Sequence, residues 1–90
     1  MTDEIKQIAD HYGLDSQLSM LQEECAELIQ AISKYKRNRG NDIPKEMADV
    51  YIMLEQIRYL MGIENDVNRW IDVKIDRQLE RMEDESREAL

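Results

Sequence analysis

Residues 14–37 read LDSQLSMLQEECAELIQAISKYKR, and within them Leu14, Leu18, Leu21, Cys25, Leu28, Ile32 and Tyr35 recur in alternating steps of four and three. That spacing holds one apolar stripe on one side of an α-helix, whereas a strand would alternate its side chains between two faces. The stretch therefore reads as one long helix ending near residue 37. Upstream, Ile5, Ile8, Ala9 and Tyr12 share a face and predict a short helix over about residues 3–12. Gly13 suits the backbone after a helix end, and Asp15 or Ser16 suits the next N-cap. Downstream, Asn38-Arg39-Gly40-Asn41-Asp42 reads as a turn and Pro44 as an early helical residue. Ile43, Met47, Val50, Leu54, Ile57 and Met61 form a second stripe of the same period, closed by Gly62. A last helix runs from about Asn65 toward residue 86, with Val67, Ile71, Ile75, Leu79 and Met82 apolar. The charged tail from about Glu83 is expected to fray. The chain thus reads as one all-α domain over residues 1–90: a helical hairpin with flanking helices.

A hairpin of this size buries little. The sequence has 90 residues, 42% of them hydrophobic and only 6% aromatic. Its single cysteine excludes an intramolecular disulfide. The expected remedy is association into a homodimer or higher homo-oligomer, with a four-helix-bundle core formed on dimerisation. Twelve Lys plus Arg stand against 20 Asp plus Glu, a formal net charge of −8. Such a balance argues against a phosphate-tracking nucleic-acid surface and against an anionic membrane surface. No apolar run approaches the roughly 20 residues of a membrane span. Met1-Thr2-Asp3-Glu4 lacks the basic-then-apolar pattern of a signal peptide, so a cytoplasmic setting is expected.

Some of the acids do not behave as solvating surface. Glu24 and Glu27 are spaced i, i+3, as are Glu46 and Asp49, so each pair shares a helical face beside its apolar stripe. Residues three or four away from Glu24, Glu27 and Glu46 include no base; only Asp49 finds one, Lys45. Like charges at this spacing cost roughly 0.2–0.5 kcal/mol per pair, so helix stability does not account for the clustering. A divalent cation would, and hard oxygen donors select Mg²⁺, Mn²⁺ or Ca²⁺ over zinc. The residues alone leave a second reading open: a non-catalytic helical interaction protein whose acids keep the bundle soluble.

Glu24-x-x-Glu27, an 18-residue gap and then Glu46-x-x-Asp49 resembles the signature of the all-α nucleotide pyrophosphohydrolases of the MazG type, ExxE followed by ExxD on the next helix. The flanking Gln22-Glu23-Glu24-Cys25-Ala26-Glu27-Leu28 and Glu46-Met47-Ala48-Asp49-Val50 agree, and Lys74 to Arg81 looks like the basic stretch of short bacterial and phage-type members. The resemblance covers roughly residues 14–82. It implies hydrolysis of a nucleoside triphosphate to the monophosphate and pyrophosphate, dependent on Mg²⁺ with Mn²⁺ as a possible substitute. It also implies that Glu24, Glu27, Glu46 and Asp49 are the catalytic metal ligands. A related phosphoribosyl-ATP pyrophosphatase is the neighbouring alternative. A general base is open among these four carboxylates and Glu23.

The last helix carries Val67, Trp70, Lys74, Arg77 and Arg81 in steps of three and four. Its three cations are candidates for contacting a triphosphate or the pyrophosphate leaving group. Arg77 and Arg81 also have acids at intrahelical pairing distance, and Trp70 and Tyr51 could stack a base, although their helical spacing favours core packing. Lys34 lies on the extended acid row, where it serves either a phosphate or the negative end of its helix.

The hairpin poses a geometric question. The two acid pairs are centred near residue 36–37, but the turn signals centre on residue 41. A rigid hairpin about residue 41 would offset the pairs by about 13 Å. Either the first helix stops early and residues 37–43 double back, six or seven extended residues spanning about 20 Å, or the pairs meet otherwise across the bundle; the first is expected.

Overall fold

A computed structural model describes residues 2–89. The described residues form four helices and no strand: α1 (Asp3–Tyr12), α2 (Leu14–Lys36), α3 (Ile43–Met61) and α4 (Glu64–Glu88). The hairpin is α2 with α3, α1 packs on both, and α4 touches only α3. No described helix is long and apolar enough to cross a membrane.

Two boundaries differ from their sequence reading, each for a local reason. Gly13 closes α1 and opens α2 at once, so neither Asp15 nor Ser16 caps α2; both lie inside it. Its φ of 85° and ψ of 168° place it where a Cβ is strongly disfavoured. Gly13→Ala should therefore cost about 1–3 kcal/mol from backbone strain alone, measured by urea denaturation. An added Cβ would meet nothing within 4 Å, so no steric clash enters that figure. At the far end, α4 continues through Glu83 to Glu88, supported by Arg87 pairing with Glu83 and Asp84. Gly62 ends α3 in the left-handed conformation, as its position suggested.

The buried face of the hairpin runs along one edge of the apolar stripes. On α2 it takes in Gln17, Leu21, Glu24, Leu28 and Ala31; on α3 it takes in Glu46, Asp49, Met53, Gln56 and Ile57. The rest of the stripes lies open: Leu18, Ile32, Tyr35, Met47 and Leu54 are all exposed. The contrast is greatest in α4, where no residue is buried. Trp70 is 53% exposed and Tyr51 59%, so neither packs in a core within the chain. Arg58 anchors α4 to α3, its guanidinium donating to Glu55 at 3.1 Å, Glu64 at 3.4 Å and Asn68 at 3.0 Å.

The whole is extended. Its radius of gyration is 17.1 Å, against about 12 Å for a compact domain of this length. Its accessible surface is 7337 Å², against about 5,500 Å² for a compact monomer of this mass.

Candidate metal centre

The early stop of α2 at Lys36 and the return of residues 37–42 settle the register of the hairpin. Asn38 takes a positive φ of 59° and Gly40 one of 109°, which turns the chain back on itself within this short connection. Glu24 then faces Asp49, and Glu27 faces Glu46. Carboxylate oxygens of Glu24, Glu46 and Asp49 lie within 4.8 Å of one another, contributed by two antiparallel helices. Glu46 is buried and Glu24 and Asp49 are half-buried. Glu27 stands outside that trio and is exposed, but its carboxyl lies in hydrogen-bonding reach of Glu46.

The electrostatics of the cluster are unfavourable without a cation. Burial, followed by the charges of Asp49, Glu27 and Glu46, pushes the Glu24 carboxyl above its ordinary value of 4.5. Burial and the Glu27 charge raise Glu46, with the Lys45 ammonium opposing. Lys45 sits 3.9 Å from Glu46, so this lysine serves Glu46 rather than the Asp49 that its spacing suggested. The Glu24 carboxyl lies in hydrogen-bonding reach of Asp49, as Glu46 does of Glu27, so like-charged groups are held close together. One oxygen of Glu24 and one of Glu46 (Oε2 in each) are nevertheless buried with no partner. Orphaned buried acceptors beside like charges, in an all-oxygen donor set, fit a hard divalent ion.

A pH dependence follows. Carboxyls raised in the folded state contribute stability that is full below about 4.5 and lost as pH rises through their raised values. A bound divalent ion reverses this by favouring the charged forms. The gain in melting temperature on adding Mg²⁺ should therefore grow as pH rises from about 4.5 to 7.5, measured by calorimetry in matched buffers. A gain independent of pH would contradict the coupling.

Glu27 and Glu46 also border a cleft of about 270 Å³ together with Gln30, Ala31, Lys34 and Asp42. Lys34 thus lies on the acid side of the molecule, within reach of a group held there. Asp42 and Gln30 were missed as lining residues, although Asp42 continues the Glu46–Asp49 row one step back. Lys74, Arg77 and Arg81 border a separate recess with Gln78 on α4, away from the acids of their own chain. Lys74 rests over the Trp70 ring at 6.0 Å rather than inside an apolar layer. Cys25 is half-buried and free, and His11 is exposed against Tyr12, so neither joins the cluster.

No curated protein and no solved structure matches the chain. The sequence model of the MazG nucleotide pyrophosphohydrolase domain matches residues 13–84, which takes in α2, α3 and most of α4. With four-fifths of its length covered and the two acid pairs on adjoining helices, the chain belongs to the MazG nucleotide pyrophosphohydrolase family.

Proposed function

We propose that the protein hydrolyses a nucleoside triphosphate to its monophosphate and pyrophosphate, using Mg²⁺ held by Glu24, Glu27, Glu46 and Asp49, with Mn²⁺ able to substitute. The observation that carries this reading is the convergence of three carboxylates from α2 and α3 within 4.8 Å. Membership of a pyrophosphohydrolase family supports the reaction class. When bound, the metal supplies Lewis-acid polarisation of the phosphoanhydride and lowers the pKa of an attacking water. The chain does the rest. Glu24, Glu46 and Asp49 hold their oxygens in place through helix packing. Glu27, exposed beside Glu46, completes the ligand set from the solvent side. Lys34 on the neighbouring cleft wall meets phosphate charge as it arrives.

The active unit is a homodimer whose core is a four-helix bundle, two helices from each copy. The open apolar stripes of α2 and α3, and α4 with no buried residue, support this. In that arrangement Lys74, Arg77 and Arg81 of one copy serve the phosphate chain at the acids of the other. Nucleoside triphosphates and Mg²⁺ together point to a cytoplasmic setting.

The test is a pyrophosphate-release screen over ordinary and modified nucleoside triphosphates with millimolar Mg²⁺. At least one substrate should release pyrophosphate, and Glu27→Gln should abolish that release while leaving the helical content intact. Silence across the screen would favour a non-catalytic interaction protein. Full turnover by Glu27→Gln would remove Glu27 from its role.

A further inference from the structure

The acid cluster has a polar neighbour that the mechanism does not use. Gln17 on α2 and Gln56 on α3 are 4% and 2% exposed, deeper than any of the four acids. The Gln17 amide Nε2 donates to Gln56 Oε1 across the hairpin. No other hydrogen bond between neutral side chains joins α2 to α3 among the described residues. Gln17 precedes Glu24 by seven residues and Gln56 follows Asp49 by seven. The amide pair therefore repeats the Glu24–Asp49 pairing two turns along the same interface, about 10.5 Å away.

Such a pair costs desolvation and returns specificity. Buried amides must pair with each other, so every other register leaves two orphaned groups. A single buried polar contact is the best-attested way for helices to fix their register. The rest of this face is poorly suited to that task. The buried Met53 and Ile57 make non-directional apolar contacts, and the carboxylates repel one another until a cation arrives. The dry amide pair is present before any ligand binds.

We propose that Gln17 and Gln56 are positioning residues: their amide pair locks α2 against α3 in the one register that brings Glu24 opposite Asp49 and Glu27 opposite Glu46. The consequence for cation binding rests on the metal reading above, whereas the register claim stands on the fold alone. Replacing both by methionine, which is nearly isosteric and leaves no orphaned amide, removes the lock while preserving volume. Replacing one alone would add an unsatisfied buried group and confuse the result.

Two readouts decide it. Spin labels at the exposed Gln22 and Tyr51 on a Cys25→Ser background, diluted with unlabelled chain to silence contacts between copies, report the α2–α3 register. Mn²⁺ titration followed by electron paramagnetic resonance reports the cluster. The wild-type pair should give one narrow label distance. Gln17→Met/Gln56→Met should broaden or shift it and weaken Mn²⁺ binding by at least about tenfold, with melting temperature maintained. If that variant fails to fold, Gln17→Leu/Gln56→Leu serves in its place. An unchanged label distance in the folded double variant overturns the proposal, as does a shifted distance with unchanged Mn²⁺ affinity. Absence of Mn²⁺ binding by the wild type would refute the metal reading, and the label distance would then decide the register claim by itself.

Discussion

Glu24→Gln should reduce pyrophosphate release by at least about 10³-fold, equivalent to roughly 4 kcal/mol of transition-state stabilisation, and should make the metal-free protein melt at a higher temperature. The two effects have one cause. Glu24 is half-buried, with one oxygen unpartnered, and faces three other carboxyls whose charges raise its own. In the metal-free protein it is a source of repulsion, and an amide of the same shape relieves it. The same amide also brings an N–H₂ group to the cluster and removes a negative charge that a divalent ion requires. Mutations that destroy activity while stabilising the fold mark positions kept for chemistry rather than for structure. Activity and melting temperature of the wild type and Glu24→Gln, compared without metal and with Mg²⁺, check both halves. Lowered activity accompanied by lowered stability would instead point to a packing role.

A charge placed on the open apolar stripe should be nearly as damaging. The wild type should sediment at about 21 kDa, twice the chain mass of 10.7 kDa. Leu54→Asp should weaken association by at least about a hundredfold, because a two-fold interface buries the new carboxylate twice without a partner. Leu54 is 43% exposed within one chain and Ile32, on the same kind of stripe of α2, is 37% exposed. The extended shape gives the physical motive. A radius of gyration of 17.1 Å leaves α4 projecting with its apolar residues uncovered, and a lone chain of this size has little other core to rely on. Melting of the wild type should therefore depend on protein concentration. Sedimentation equilibrium across a concentration series tests this: a wild type that stays monomeric at tens of micromolar would contradict it.

How far the sequence could be read differs from element to element. The 3–4 spacing of Leu14 to Tyr35 and of Ile43 to Met61 placed α2 and α3 almost to the residue, because periodicity is a property of the helix itself. The four acids stood out for the same reason: on a helix, like charges three apart without a base are costly. Their convergence depended on where α2 stops, and the Asn38–Asp42 turn signals together with the spacing of the pairs were enough to expect the early stop at Lys36. What lay beyond reach depended on neighbours. Trp70 and Tyr51 carry core-like spacing, yet their own chain leaves more than half of each exposed. Lys74, Arg77 and Arg81 share a row, but one chain does not bring that row to the acids. Gln17 and Gln56 are polar, and only the partner helix buries them. The available signal was positional: they extend the acid-bearing faces by two turns in opposite directions at the same 3–4 period.

In the proposed reaction this cluster of carboxylates works through a divalent metal to cut a nucleoside triphosphate between its α- and β-phosphates. The most direct test is a ³¹P NMR time course of the wild-type protein with its best substrate from the release screen, run in Mg²⁺ and again in excess EDTA. Nucleoside monophosphate and pyrophosphate should grow equally in Mg²⁺, with no turnover in EDTA. Turnover that persists in EDTA, or products consisting of nucleoside diphosphate and orthophosphate, would contradict the proposed reaction.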